Sequence, residues 1–199
     1  MIAVIDYGAG NLKSITNALD YLKAGYKVTD KPSDLEKADK MLFPGVGSFG
    51  SCIDSLKSKG LFEPLKKEIS KKPYLGICLG LQVLFEGSEE SPSIKGLSVL
   101  KGKCRRFRSK TLKIPQIGWN SISIVKKNSL LQDIKDNSYL YFVHSYYVDP
   151  KDKEIILTKT GYGIDFVSSI VKDNIFAVQF HPERSGDVGL KLLENFVKC

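Results

Sequence analysis

Cys78 lies where an apolar segment meets a helix, in a Gly-x-Cys-x-Gly pattern formed with Gly76 and Gly80. The apolar run Tyr74–Ile77 predicts a buried strand, and the apolar spacing over residues 79–85 predicts a helix, so the chain turns sharply at the cysteine. Such a turn leaves no room for neighbouring side chains, which accounts for the two glycines. It also exposes the sulfur at a helix N-terminus, where the dipole and free N–H groups favour a thiolate. Cys78 is therefore a candidate nucleophile.

A nucleophilic thiol needs a base, and the chain contains only two histidines. His181 follows the apolar segment 176–180, and Glu183 lies two residues further on, so in an extended chain both side chains leave the same face. A carboxylate beside an imidazole fixes its tautomer and stabilises its charged form, which makes His181 the base and Glu183 the orienting group. Because the carboxyl ends of parallel strands meet at one edge of a sheet, Cys78 and His181 are expected to lie together.

Each of these residues also has a structural interpretation. Cys78 could be a buried packing cysteine, and His181 could cap the sheet. His144 is the rival base. Its closest acidic neighbour along the chain is Asp149, and its aromatic surroundings favour a place in a pocket wall.

Backbone donors for a negatively charged intermediate are expected at two places. The segment 43–50, Phe-Pro-Gly-Val-Gly-Ser-Phe-Gly, carries glycines directly after a predicted strand. Glycines leave backbone N–H groups uncovered, so Gly47 is a candidate oxyanion-hole donor. The N–H of Leu79, the residue after the nucleophile, is the second candidate.

The first half of the chain alternates strands and helices. The strands are predicted at Ile2–Ile5, Tyr26–Thr29, residues 41–43 and Tyr74–Ile77, and the helices at residues 12–22, 49–56 and 64–69. This alternation predicts an α/β fold with a doubly wound, mostly parallel sheet whose ligands bind at the carboxyl ends of the strands.

The second half has a different pattern. Residues 87–96 predict a polar loop. Short alternating segments then predict antiparallel additions to the sheet, at residues 97–107, 119–125, 139–143, 154–160, 166–171 and 175–180. A last helix is predicted over residues 187–197.

Length and composition predict a single domain over residues 1–199. With 42% hydrophobic residues the chain can bury one sizeable core. The N-terminal segment has no basic leader and no apolar run approaches the roughly 18 residues of a membrane span, which predicts a cytoplasmic protein. The four cysteines form no Cys-x-x-Cys pair, so we expect free thiols and neither a metal nor a cofactor.

The net charge of +8 is locally strongest in residues 101–110, where six of the ten residues are basic and Phe107 lies among them, while the other lysines are spread along the chain. No helix-turn-helix, RNA-recognition or zinc-finger pattern accompanies this segment, which argues against nucleic-acid binding. The other interpretations are a solvated strand edge and a surface that docks onto an acidic protein in a salt-sensitive way.

The turn from Gly8 to Lys13, Gly-Ala-Gly-Asn-Leu-Lys, follows a strand and opens a helix, as a dinucleotide-binding turn would. Lys13, however, stands where the third glycine of Gly-x-Gly-x-x-Gly belongs. The alternative is a tight strand-to-helix turn with Asn11 as the N-cap residue.

Three segments together resemble the class I, triad-type glutamine amidotransferases, and the resemblance covers nearly the whole chain. They are Gly-Ile-Cys-Leu-Gly-Leu-Gln at 76–82, Pro-Gly-Val-Gly-Ser-Phe at 44–49 and His-Pro-Glu at 181–183. Residues 6–12, 115–120 and 144–146 further resemble the glutaminase subunits of imidazole glycerol phosphate synthases in histidine biosynthesis.

The resemblance implies that Cys78 attacks the side-chain amide of L-glutamine and that His181 protonates the departing ammonia and then activates water. It also implies that Glu183 orients His181, and that the glutamine is held by Gln82 and by the backbone of Ser145 and Tyr146. The ammonia would pass to a barrel-shaped synthase (cyclase) subunit in a heterodimer. That subunit would form imidazole glycerol phosphate and an aminoimidazole carboxamide ribotide.

Three other functions are compatible with parts of the pattern. The same glutaminase could serve a different synthase, such as a sugar amidotransferase. A non-catalytic binding subunit could keep the fold, although the intact triad argues against it. A cysteine esterase or peptidase would hydrolyse chromogenic esters without a partner.

Overall fold

The computed structural model describes residues 1–9 and 11–199. Gly10, which belongs to the predicted first strand-to-helix turn, lies outside the described residues. On the helix side of this turn, the Asn11 side chain accepts a hydrogen bond from the Ser14 N–H at 3.3 Å, so the N-cap prediction is confirmed.

The first half of the chain folds as predicted, with one addition. The strands are β1 (Ile2–Ile5), β2 (Tyr26–Thr29), β3 (Lys40–Phe43) and β4 (Tyr74–Ile77). The helices are α1 (Leu12–Tyr21), α2 (Pro32–Lys37), α3 (Phe49–Ser58) and α4 (Phe62–Ile69). The pattern missed α2, because six residues with one buried apolar side chain, Leu35, are too few to show helical periodicity.

The second half contains a short helix α5 (Leu79–Gln82), many short strands and a C-terminal helix α6 (Gly186–Lys198). The strands are β5 (Gly87–Ser88), β6 (Ser91–Lys95), β7 (Gly102–Arg106), β8 (Gln116–Ser121), β9 (Ser123–Ile124), β10 (Tyr139–His144), β11 (Tyr146–Pro150), β12 (Ile156–Gly161), β13 (Asp165–Lys172) and β14 (Ile175–Val178). Single 3₁₀ turns lie at Ser129–Leu131, Lys153–Ile155 and Pro182–Arg184.

The main sheet has the strand order β2-β1-β3-β4-β14-β13-β11-β7-β5-β6, with β12 and β9 attached beside β13. The strands from β2 to β14 are parallel, whereas β13 and β11 run antiparallel to their neighbours. Strand β7 is antiparallel to β11 and parallel to β5. This mostly parallel sheet with antiparallel additions confirms the predicted fold class.

Three expectations for the strands are wrong. Residues 87–96 are not a loop, because β5 and β6 pair antiparallel at the edge of the sheet. An edge strand exposed to solvent has a polar composition that resembles a loop. Residues 175–180 are not an antiparallel addition, since β14 lies parallel to β4. Strands β8 and β10 were expected to extend the main sheet, but they pair with each other in a separate two-stranded sheet.

The helix after Cys78 is shorter than predicted. It ends at Gln82 instead of residue 85, and the next N–H groups, those of Leu84 and Phe85, donate to carbonyls three residues back. All residues from 79 to 85 are buried, so their apolar character reflects burial on every side and not one face of a helix.

Two hydrophobic layers cover the faces of the sheet. One layer includes residues of α3 and α4, and the other includes residues of α1 and α6. The side chains of β1 alternate between them, with Ala3 and Ile5 in the first layer and Ile2 and Val4 in the second. Both faces of the parallel strands are therefore buried, and the strand ends remain available for a site. Among the residues described, no helix is long and apolar enough to cross a membrane.

Candidate active site

Cys78 forms a sharp elbow between β4 and α5. Its φ of 49° is in the left-handed region, which costs a residue with a side chain on the order of 1–3 kcal/mol. A Cβ on Gly76 would overlap the Gly80 carbonyl, and a Cβ on Gly80 would overlap that of Phe43. The two glycines are therefore required by close packing, as the sequence predicts.

The Cys78 sulfur borders a cavity of about 260 Å³. Gln179 Nε2 lies 3.3 Å from Sγ and donates to it, and the Val143 carbonyl lies at 3.9 Å. Because α5 has only four residues, its dipole offers less support to a thiolate than the predicted longer helix would. The Gln179 N–H, which donates to the sulfur, therefore carries more of that role.

His181 and Glu183 form a buried pair beside the same cavity. His181 Nδ1 lies 2.8 Å from Glu183 Oε1, and the two side chains are 2% and 3% exposed. The chain is not extended between them as predicted, since Pro182 opens a 3₁₀ turn that brings the two side chains together. Within the described residues, His181 Nε2 is buried and has no hydrogen-bond partner, so it is available for chemistry.

The pKa of His181 reflects opposing influences. Burial of the ring favours the neutral form, but the adjacent Cys78 sulfur and the Glu183 carboxylate outweigh burial and raise the pKa of His181 to about 10. The imidazole is thus held in its charged form at neutral pH. A charged imidazolium beside Cys78 can give a proton to a leaving group bound at that position.

His144, the rival base, is fully engaged within the protein. Its Nδ1 lies 2.8 Å from the Tyr146 carbonyl and its Nε2 lies 3.1 Å from the side-chain amide of Gln116. Burial lowers the pKa of His144 to about 4, against the effect of the Tyr146 carbonyl and with a smaller contribution from His181. His144 is therefore neutral and lies in the cavity wall, as its aromatic surroundings suggest.

We expect His144 to make the fold acid-sensitive. An unfolded histidine has a pKa of about 6.5, so between pH 6.5 and about 4 the unfolded chain takes up a proton that the folded chain does not. The free energy of unfolding should fall by roughly 2–3 kcal/mol between pH 7 and pH 4.5 from this residue. Urea unfolding at both pH values, for the wild type and His144→Gln, measures it. An equal loss in both proteins would contradict the prediction.

The predicted substrate-binding residues all line the cavity. Gln82 is buried, and its Nε2 donates to the Tyr146 carbonyl at 3.1 Å and to Gln179 Oε1 at 3.2 Å. The Ser145 carbonyl accepts from the Phe107 N–H at 3.0 Å. The carbonyls of Ser145 and Tyr146 are therefore occupied by protein donors, and a ligand would meet the other groups of these residues.

The predicted oxyanion donors, Gly47 and Leu79, border the same cavity. Leu79 begins α5, so its N–H has no acceptor within the helix. Gly47 has a φ of 115°, which glycine adopts without strain. Val46, the residue before Gly47, is held by Tyr7. The Tyr7 hydroxyl donates to the Val46 carbonyl at 2.7 Å and accepts from the Val46 N–H at 3.1 Å. That N–H is therefore directed at Tyr7 and not at the cavity.

Two further residues belong to the site, Glu90 in the cavity lining and Gln179 beside the sulfur. Glu90 is brought there by the β5–β6 hairpin, and its Oε2 accepts from the Phe49 N–H at 2.7 Å. No local pattern indicates this position, because it depends on the pairing of two edge strands. Gln179 could have been found, since it is the one polar residue in the apolar segment 175–180 and lies two positions before His181.

The basic segment 101–110 lies along β7 and the loop after it, beside an open groove of about 1450 Å³. Arg105 pairs with Glu89 and Asp149, and Arg108 also pairs with Glu89. Phe107 is buried against His144, so it offers no exposed ring for base stacking. Tyr146 lines both the groove and the cavity.

Among residues 1–9 and 11–199, no cluster of His, Cys, Asp and Glu is arranged to hold a metal ion.

A thiol at a strand-to-helix elbow of a mostly parallel sheet is the arrangement of α/β enzymes with a cysteine nucleophile. The chain belongs to the class-I glutamine amidotransferase family, whose family model matches residues 3–199. It is similar to the imidazole glycerol phosphate synthase subunit HisH of Methanocaldococcus jannaschii, with 50% identity over 100% of this chain and 99% of the relative. The HisH subunit of Chlorobaculum tepidum is 47% identical over the full length of both chains.

Solved structures share the fold at low sequence identity. A crystal structure of a glutamine amidotransferase superposes with a TM-score of 0.76 at 17% identity, covering 98% of this chain and 99% of that one. PurLQS from Thermotoga maritima gives a TM-score of 0.74 at 16% identity, covering 99% and 97%. At this identity the likeness concerns the fold alone.

Proposed function

We propose that this chain is the glutaminase subunit of an imidazole glycerol phosphate synthase, which hydrolyses L-glutamine to L-glutamate and ammonia. The observation that carries the chemistry is the buried His181–Glu183 pair at 2.8 Å, whose histidine borders the same cavity as Cys78. The pathway assignment rests on the full-length similarity to HisH subunits.

In the first half of the reaction, the Cys78 thiolate attacks the amide carbon of the glutamine side chain. The C–S bond forms and the carbonyl electron pair moves onto oxygen, where the N–H groups of Leu79 and Gly47 would stabilise it, joined by the N–H of Val46 once that group leaves Tyr7. As the C–N bond breaks, His181 Nε2 gives its proton to the departing nitrogen and ammonia leaves. The product is a thioester on Cys78.

In the second half, His181 Nε2 takes a proton from water while the oxygen attacks the thioester carbon. When the second intermediate collapses, the C–S bond breaks and its electron pair returns to sulfur. L-glutamate is released and the thiolate–imidazolium pair is restored. Glu183 stays ionised throughout and keeps Nδ1 protonated, so Nε2 faces the reaction.

Free glutamine carries two charged groups, the α-ammonium and the α-carboxylate, and the cavity has to offer each of them a partner. Glu90 is the acidic side chain bordering the cavity, so it is suited to the α-ammonium group. Gln82, Ser145 and Tyr146 line the same cavity and would hold the remaining polar atoms. A neutral side-chain amide would then lie at Cys78.

Ammonia has a separate way out in this arrangement. A second cleft of about 430 Å³, lined by Asn11, Val46, His181, Glu183 and Arg184, shares Val46 and His181 with the glutamine cavity. It has no lining residue in common with the basic groove. Ammonia released at His181 would pass into this cleft.

The surface beside the second cleft suits a protein partner. Arg184 stacks on the Tyr141 ring at 5.6 Å, and Trp119 packs against the same ring at 6.1 Å. Trp119, Ile117 and Tyr139 are 56%, 64% and 62% exposed, which is unusual for a group of large apolar side chains. We assign this patch to the barrel-shaped synthase subunit, which would cover the cleft and receive the ammonia in a heterodimer.

Glutamate release by the purified chain, alone and with the synthase subunit loaded with its nucleotide substrate, tests the proposal. We expect slow hydrolysis by the isolated chain because Tyr7 holds the Val46 N–H away from the cavity. The loaded partner should accelerate it by about 10²–10³, the effect of one recovered oxyanion donor. Formation of imidazole glycerol phosphate with glutamine as the sole nitrogen source completes the test, with ammonium salt and no glutaminase as the control.

Three outcomes would contradict parts of this proposal. No glutamate release under either condition would exclude a glutaminase. Stimulation only by a different synthase would assign the chain to another pathway. Hydrolysis of chromogenic esters without glutaminase activity would indicate an esterase or peptidase.

A further inference from the structure

Gln179 is a polar side chain for which the reaction described above has no role. It is 0% exposed and lies between Val178 and Phe180, which pack in the hydrophobic layer shared with α1 and α6. We infer that Gln179 is a further catalytic residue, which donates an N–H to the thiolate of Cys78 and holds it for attack. This inference rests on the proposed glutaminase function, which it deepens.

The direction of this hydrogen bond follows from the atoms behind Gln179. The Tyr146 carbonyl can only accept, so the side-chain atom of Gln82 that faces it must be the amide nitrogen. The same nitrogen lies 3.2 Å from Gln179, so Gln179 must present its oxygen there. Its own nitrogen is then the atom 3.3 Å from Sγ, and it must be a donor.

A donor at this distance favours the anionic sulfur, because a thiolate accepts hydrogen bonds far better than a thiol. Gln179 and His181 are two positions apart on one segment, so both can reach the sulfur from the end of β14. When the thioester forms, the sulfur loses its charge and this N–H loses a charged acceptor. When the C–S bond breaks during hydrolysis, the electron pair returns to sulfur and the N–H again meets an anion.

The test uses the reactivity of Cys78 itself, which requires neither glutamine nor the partner. Cys52 and Cys104 are buried, which raises the pKa of each thiol far above its usual range, but Cys199 is exposed. Alkylation by iodoacetamide is therefore followed by mass spectrometry in a Cys199→Ser background, across a range of pH. The test variant is Gln179→Met, which removes both hydrogen bonds at similar length.

We expect the midpoint of the alkylation profile to move to higher pH in Gln179→Met. Loss of a hydrogen bond to a charged group lowers the thiolate fraction about ten- to hundredfold, while the more basic thiolate is intrinsically more nucleophilic. Below the midpoint the rate should thus fall roughly 3- to 15-fold, and at high pH it should equal or exceed the wild-type rate. The other titratable groups around the sulfur stay the same in both proteins: His181, Glu183, His144, Glu90, Tyr7 and Cys104.

Steady-state kinetics give a second reading. The kcat for glutamine should fall about tenfold with the KM little changed, because Gln179 supports the sulfur without bordering the cavity. The matched control is Asn195→Leu, which also removes a buried amide with two donated hydrogen bonds, to the Leu130 and Gln132 carbonyls at 3.0 and 2.8 Å. The control should keep both the alkylation profile and the kcat.

A wild-type alkylation profile and kcat in Gln179→Met would overturn the inference. It would also fail if the rate fell equally at all pH values, since that pattern indicates general damage. If Gln179→Met does not fold, Gln179→Ala removes the same N–H without adding a charge and must show the shifted midpoint. Absence of glutaminase activity in the wild type would instead defeat the proposed function and leave the alkylation result to stand by itself.

Discussion

Replacing Cys78 by alanine should abolish glutamine hydrolysis while leaving the fold and the binding of the synthase partner intact. Removal of the nucleophile of a triad costs on the order of 10⁴–10⁶ in kcat, because the remaining groups cannot form the thioester. The loss of one sulfur atom beside a cavity removes little packing, and alanine adopts the strained φ of 49° at a cost similar to that of cysteine. Glutamate release by the variant in complex with the loaded synthase subunit measures the effect.

The exposed Cys199 supplies the matched control for this experiment. Cys199→Ser should retain full activity, since Cys199 is exposed and its sulfur lies 4.0 Å from the Ser129 hydroxyl, away from the cavity. Cys78→Ala should also still support synthesis when ammonium salt replaces glutamine, which shows that its surface is intact. Substantial glutamate release by Cys78→Ala would end the assignment of the nucleophile.

His181→Ala should be nearly as damaging as Cys78→Ala. The substitution removes the proton donor to ammonia and the base that activates water, and it leaves the Glu183 carboxylate buried without its partner. The double variant should be little worse than either single one, because residues that act as one unit are not additive. The measurement is kcat/KM for glutamine in the loaded complex, for the two single variants and the double variant.

Comparing His144→Ala with His181→Ala tests which histidine is the catalytic base. Both of its ring nitrogens contact protein atoms, so His144→Ala should weaken the cavity wall and reduce activity less than His181→Ala does. A larger loss from His144→Ala would mean that the wrong histidine has been assigned. The double variant of Cys78 and His181 gives a separate check. If its loss of kcat/KM equalled the product of the losses in Cys78→Ala and His181→Ala, the two residues would not act together.

The alkaline side of the pH profile gives a further check on His181. Its charged form is stabilised by Cys78 and Glu183, and its pKa is about 10. This pairing stabilises the folded state fully below pH 6.5, and the contribution disappears as the pH rises through about 10. The same proton is the one delivered to ammonia, so the acid step fails in the same range.

Local patterns were sufficient for the first half of the fold. The strands β1, β2 and β4 match the predicted limits because continuous apolar runs bounded by turn residues identify strands buried on both faces. The pattern failed where a segment was short or lay at an edge. Helix α2 has one buried apolar residue, and the hairpin of β5 and β6 has the polar composition of a loop.

The elbow at Cys78 and the pair His181–Glu183 were also accessible from the sequence. Each of these two motifs lies within a segment of at most five residues, 76–80 for the elbow and 181–183 for the pair. The glycine spacing around Cys78 specifies a tight turn. The expectation of an extended chain between His181 and Glu183 was wrong, since the 3₁₀ turn at Pro182 aligns the two side chains. The residue pair was nevertheless right, because two positions of separation allow contact in both conformations.

Residue types and their local spacing indicate the class of chemistry: a thiol at a strand-to-helix turn, an imidazole with its carboxylate, and glycines that leave backbone donors uncovered. Which further groups meet at the sulfur depends on contacts between distant segments. Gln179 is 101 positions from Cys78 and 97 from Gln82, and it reaches them only because β14 lies parallel to β4. Strand direction is set by crossovers and by packing between distant segments, and neither is encoded in the residue pattern of a single strand.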